Sequence, residues 1–210
     1  MTTNESFPKF DLPVDFIADD SITGDILNYY GNFPCKIKAG VFVLCTEGMV
    51  RATINLLEIV IRKNDFIVVL PNSFIQIHEV SSDTRISFAG FSSDFMLSGN
   101  YVEILLDFMP MILNSPVISL QEDVAGLYRN VYLLLIRAYT LPHSLENKEI
   151  IRSVLAIFLQ GTKELYKRYG KKLDEPLRRE QELYRQFIQL LMVHYTKEHE
   201  VAFYAEKCGV

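Results

Sequence analysis

The stretch from Arg51 to His78 brings a glutamate, a glutamine and a histidine into one run of short apolar segments, which raises the question of a metal or acid–base site. A transition-metal centre held between β-strands needs two histidines one residue apart, a carboxylate a few residues on and a third histidine on a later strand. Here "RATINLLE" supplies Glu58 without a histidine, and Gln76 stands where the third imidazole would fall. His78 is the sole histidine of this stretch, while His143, His194 and His199 are scattered through a later loop and the end of a helix. One carboxylate without imidazoles is a poor transition-metal site, so no metal and no cofactor are expected. Nucleophilic chemistry fares no better. The three cysteines lie in apolar strand or helical contexts, and no Gly-x-Ser-x-Gly elbow accompanies the serines. The chain is expected not to be an enzyme.

The same residues suit a binding pocket better. Successive side chains of a strand point to opposite faces, so Arg51, Thr53 and Asn55 share one face of their strand, and Gln76 and His78 share one face of theirs. Phe42 and Leu44 lie together on the strand before. A small-molecule site combines aromatic and aliphatic walls with a few polar handles. Phe42, Leu44, Arg51, Thr53, Asn55, Gln76 and His78 are therefore the candidate ligand-binding set. The competing reading leaves the polar ones facing water and makes Phe42 and Leu44 wall or core.

Between Cys35 and Phe91 short apolar runs alternate with turn residues at Glu47-Gly48, Asn64-Asp65, Pro71-Asn72-Ser73 and Ser81-Ser82-Asp83. That spacing predicts a β sandwich or barrel. "MVRATIN" alternates Val50, Ala52 and Ile54 with polar residues, whereas "FIVVL" has no alternation and should be covered on both sides. After "FSSDF" the period changes to that of a helix. Ser119 and Glu122 have capping-box spacing before a helix with the stripe Val124, Leu127, Tyr128, Val131, Leu134, Leu135 and Ala138. A break at "LPHSLENKE" leads to a second helix running to Tyr169, and the two are expected to pair antiparallel. Their apolar stripes are broader than one pair can bury on itself. The excess can pack on the β domain as ordinary core or on a second copy of the chain; the second is expected, with Val131, Leu135, Leu155, Phe158, Leu159 and Leu165 as the seam of a homodimer. The expected division is 1–118 for the β domain with a short closing helix, 119–170 for the helical dimerisation hairpin, 171–180 for a linker and 181–210 for a final helical part.

Composition narrows the function. The 210 residues are nearly half hydrophobic, enough for a sizeable core. Lys and Arg against Asp and Glu number 11 to 18 over residues 1–160, but 8 to 5 over residues 161–185. Since a surface that neutralises phosphates is rich in Lys and Arg, the first 160 residues are not expected to touch nucleic acid. An acidic start without an apolar core and unpaired cysteines point to a cytoplasmic protein. No apolar run is long enough to span a bilayer.

The order of parts and several local motifs give a resemblance. "NDFIVVLPNS" resembles the Gly-Asp, apolar run and Pro turn of the AraC/XylS transcription regulators, with Asn64 where Gly is usual. "ISFAGFSSDFM" resembles the strand and short helix that close that family's cupin-like domain. "VAFYAEKCGV" is similar to the start of its first helix-turn-helix, placing Ala205 at the small packing position and Gly209 at the turn. The resemblance implies an α+β fold: a small cupin-like β-barrel (jelly roll), an antiparallel helical hairpin and a truncated helix-turn-helix start. It also implies a small-molecule effector, a homodimer and promoter DNA bound through a C-terminal domain lying beyond residue 210. The chain is then expected to be a regulatory fragment whose last ten residues fray or borrow packing from a neighbour. A dimerisation and interaction module with no small-molecule ligand is the first alternative, and a metal-free cupin-like enzyme the second. Cyclic-nucleotide receptors, which also join a β-roll to a helix-turn-helix, need an Arg soon after a Gly-Glu turn, and "KNDFIVVLPNSFIQ" has none.

Overall fold

The computed structural model describes residues 9–29, 34–97, 101–140, 148–170, 179, 183, 186–187, 190–191, 194 and 197–210. Among the described residues ten strands form two five-stranded sheets. In chain order the strands are β1 (Lys9–Phe10), β2 (Phe16–Thr23), β3 (Cys35–Ile37), β4 (Gly40–Glu47), β5 (Met49–Ile54), β6 (Leu57–Arg62), β7 (Asp65–Val69), β8 (Ser73–Val80), β9 (Arg85–Phe91) and β10 (Val117–Ser119). One sheet has the order β1-β3-β8-β5-β6 and the other β10-β7-β4-β9-β2. The helices are α1 (Gly24–Tyr29), α2 (Ser93–Leu97), α3 (Tyr101–Asn114), α4 (Glu122–Thr140) and α5 (Lys148–Tyr169), with a last helix over Val201–Cys208. The α+β class stands. The β part is two sheets that do not close into a barrel.

Why β7 lacks alternation is now physical. Its sheet is the middle of three layers. Ile67 and Val69 join Cys45, Val50, Ala52, Ile54, Ile61 and Ile86 in the core between the sheets. Phe66 and Val68 join Phe42, Leu44, Ala89 and Phe91 in a second core beneath α3, α4 and α5. A strand buried on both faces reads as a continuous apolar run.

Turn chemistry fixes the hairpins. Asn55 and Leu56 both have positive φ, 47° and 71°, in a two-residue loop between β5 and β6, the requirement of a type I′ turn. Asn64, at φ 68°, adopts the left-handed conformation that explains why Gly suits that position, and Asn tolerates it. Gly48 is more constrained, since a Cβ there would lie 2.5 Å from the Thr84 Cα.

Several features departed from the local pattern. β2 was not expected; its apolar residues are interrupted by Asp19 and Asp20, where a register shift re-aims the strand against β9. The capping box does not form. Ser119 belongs to β10, and its hydroxyl donates to the Asp65 carboxylate at 2.6 Å, while Glu122 accepts from the Asn64 side chain at 2.6 Å. The helical layer is also less simple than a hairpin. α5 packs on α3 as well as on α4, which it meets through Phe158 between Tyr128 and Tyr132. The loop at 141–147 and residues 171–178 of the expected linker lie outside the described residues, as does much of the first half of the final helical part expected over 181–210.

Candidate functional site

The seven candidate ligand residues separate into three places. Phe42 and Leu44 face the helices: the Phe42 ring meets Phe158 edge-on at 4.9 Å and Phe91 at 6.0 Å. Both are fully packed core. Asn55 braces the β5–β6 turn, its Oδ1 accepting the Phe74 N–H at 2.9 Å and its Nδ2 donating to Ser73 Oγ at 3.0 Å. It also borders a small cavity with Ile54, Val68, Leu70, Ile112 and Pro116. That cavity has a volume of about 10 Å³, room for about one water. It is no effector pocket.

Arg51, Thr53, Gln76 and His78 do come together, but on the outer face of the first sheet. β5 inserts Val50, Ala52 and Ile54 between the sheets, so the alternate positions must point outward. Register sets Thr53 opposite Gln76 and Arg51 opposite Glu79. Arg51 Nε lies 3.3 Å from Glu79 Oε2, and Thr53 Oγ1 is 2.7 Å from His78 Nε2. Both contacts are solvated, and such an ion pair contributes at most about 1 kcal/mol. Lys36 Nζ sits 5.7 Å from the Phe74 ring on the same face. The arrangement is an open, mixed-charge surface rather than an enclosed site. Among the described residues no cluster of His, Cys, Asp and Glu could hold a metal ion.

The expected dimer seam requires correction. Leu135, Leu155, Phe158, Leu159 and Leu165 are buried within this one chain, and Val131 packs against the same core. The reason is the middle sheet, which offers Phe42, Phe66 and Phe91 as a second apolar face to cover. What the helices leave outside is different: Leu127 is 61% exposed, Leu134 55% and Ile157 73%. Leu127 and Leu134, seven residues apart, lie on one face of α4. Sequence periodicity included them in the stripe without revealing which edge of it would be uncovered.

At the C-terminal end, Gly209 has φ 72° and ψ 33°. Its N–H donates to Glu206 O at 3.1 Å and that of Val210 to Ala205 O at 3.0 Å, the pairing of a Schellman motif. The segment has one anchored residue, while Val201 and Val210 stay exposed. Tyr204 is buried, with its ring 5.7 Å from Phe187 and its hydroxyl donating to Glu198 O at 2.7 Å.

Four buried groups, the Cys45 thiol and the phenols of Tyr128, Tyr132 and Tyr166, favour their neutral forms. Burial first, then the nearby Asp65 carboxylate, pushes the Cys45 thiol up from its ordinary 9.0 to about 11. Burial pushes the Tyr128 phenol up to about 12 and holds those of Tyr132 and Tyr166 well above their usual value. Such groups contribute stability in full below their unfolded pKa and lose it as pH rises through the folded one. Stability should therefore decline from about pH 9 upward, where the unfolded thiol and then the unfolded phenols release protons first. An alkaline titration followed by phenolate absorbance and circular dichroism checks this. These three of the 11 tyrosines should ionise only as the chain unfolds.

No family model matches the sequence, and no curated protein matches it either. Among solved structures, ToxT from Vibrio cholerae is 13% identical at a TM-score of 0.42, the match covering 94% of this chain and 72% of that one. The AraC-like transcriptional activator CuxR is 10% identical at a TM-score of 0.46, covering 83% of this chain and 58% of that one. An unsaturated fatty acid-bound ToxT from Vibrio cholerae is 10% identical at 0.40, covering 95% and 69%. Values this low assign neither a family nor an activity to this chain. Among the described residues no helix is long and apolar enough to cross a membrane.

Proposed function

We propose that this chain is the regulatory unit of a DNA-binding transcriptional regulator of the AraC/XylS type, non-catalytic and acting as a homodimer. The observation that supports it most is the end of the Val201–Cys208 helix. A left-handed Gly209 closes the helix four residues after the small Ala205, as the first helix of a helix-turn-helix requires. This helix follows a β unit, two long helices and the basic stretch 161–185 in the order such a regulator uses. DNA contact then belongs to the helix-turn-helix, since residues 1–160 are acidic.

Two readings of the regulatory signal remain distinct. An effector-binding unit needs a cavity, and the space beside Asn55 holds about one water, so a small molecule would have to displace α3 from the β5–β6 turn to enter. Among the described residues the two packed cores favour the interaction module, in which signals arrive by protein contact on the outer sheet face. A reporter strain in which a heterologous DNA-binding domain represses only as a dimer tests the regulatory reading. Fusing this chain to that domain should restore repression. A well-expressed, folded fusion that leaves the reporter fully active would sink the proposal.

A further inference from the structure

We propose that β6 is a self-pairing edge, through which two copies of this chain join their first sheets into one antiparallel sheet across a two-fold axis at Val60. This rests on the homodimer reading and names its surface. The four sheet edges differ in how they are guarded. Among the described residues β1 has two residues and β10 three, too short to template a partner. β2 is interrupted at Asp19 and Asp20 by its register shift. β6 has six residues, regular pairing with β5, no proline, and, among the described residues, no strand on its other side. A long straight edge of this kind is a ready template for another chain.

Its sequence is self-complementary. Glu58, Val60 and Arg62 share the outer face, with Val60 43% exposed, while Ile61 faces the core. Antiparallel pairing centred on Val60 sets Glu58 of each copy opposite Arg62 of the other, and Val60 opposite Val60. Shifting the axis to Ile59 would set Glu58 against Val60 and lose both charge pairs. Backbone geometry agrees with the first register. The two-residue turn makes Ile54 and Leu57 the closing hydrogen-bonded pair, so alternation turns the Leu57, Ile59 and Ile61 amides toward β5. Those of Glu58 and Val60 are left for a partner strand. Each Val60 then exchanges two bonds with its counterpart, and each Glu58 N–H donates to the opposite Arg62 carbonyl. The Arg62 N–H is already donated to Asp65 Oδ2 at 2.7 Å, so the Glu58–Arg62 pair forms this one backbone bond instead of two.

Sedimentation velocity on the whole chain over a concentration series, for wild type, E58R, R62E, the double swap E58R/R62E and L127D/L134D, tests this. Wild type should dimerise. Each single swap creates two like-charge pairs per dimer and should weaken association about tenfold or more, whereas the double swap should recover wild-type association within about threefold. Val60 amide exchange should slow with rising concentration in wild type and not in E58R. All the charge variants are at exposed positions, and unchanged circular dichroism and melting confirm their fold. If L127D/L134D abolishes the dimer while E58R leaves it intact, the edge proposal falls and the homodimer stands on α4. A double swap that fails to recover association also overturns the edge. Wild-type monomers at every concentration would remove both readings, and slowed Val60 exchange only with an added peptide would make β6 a heterologous docking strand instead.

Discussion

Replacing Phe158 by alanine should cost about 3–5 kcal/mol of folding stability, the upper range for truncating a buried aromatic. Phe158 is 3% exposed on α5, and its ring reaches Phe42 at 4.9 Å, Phe66 at 6.1 Å, Tyr128 at 5.8 Å and Tyr132 at 5.7 Å. These neighbours come from the middle sheet and from α4, so one side chain couples three elements. Edge-to-face pairs add to the area term, and the rigid walls around the vacated ring limit collapse into the cavity. Against a typical total of about 5–15 kcal/mol, such a loss leaves little margin. Urea denaturation at unchanged m-value measures it. A loss below about 1 kcal/mol, together with dissociation of a dimer, would return Phe158 to the seam and contradict its place in the core.

Asp65→Ala should cost about 2–4 kcal/mol, although no apolar surface is lost. Asp65 is 4% exposed, and its carboxylate ties three segments together. Oδ2 accepts the Arg62 N–H at 2.7 Å across the β6–β7 turn, and Oδ1 accepts the Ser119 hydroxyl at 2.6 Å from β10. Hydrogen bonds to a charged acceptor contribute more than neutral ones, and removal leaves both donors without this partner. Asn at this position keeps one acceptor and should lose roughly half as much. The same substitution carries a second signature at Cys45, because the Asp65 charge helps raise that thiol. In the alanine variant Cys45 should titrate lower and react faster with a thiol reagent under native conditions. Wild-type stability in Asp65→Ala, with an unchanged thiol, would remove the carboxylate from its place in the turn.

These two residues show how much local sequence could reveal. The Asn64-Asp65 break marked the turn correctly, and the resemblance pointed to the acidic position after it, but the partner Ser119 lies 54 residues away and looked like a helix cap. A hydroxyl three residues before a glutamate satisfies the spacing of a capping box whether or not the backbone makes one. Three-dimensional proximity to a buried carboxylate decided otherwise. Phe158 was legible as part of an apolar stripe. Whether that stripe met the same chain or a second copy depended on the extra apolar face of the middle sheet.

What the sequence determined by itself was periodicity and punctuation. Alternation separated Val50, Ala52 and Ile54 from Arg51 and Thr53, the unbroken run at Phe66 to Val69 announced burial on both sides, and Asn and Gly marked the turns. Each is a local consequence of strand pleat or backbone sterics. Tertiary structure alone decided what covers each face. It turned Phe42 and Leu44 toward the helices, set Arg51, Gln76 and His78 on an open surface, buried Leu155 and Leu159, and left Leu127, Leu134 and the β6 edge uncovered. Side-chain pattern records which side of an element is apolar; only the packing of distant elements fixes whether that side meets its own chain, a partner or water.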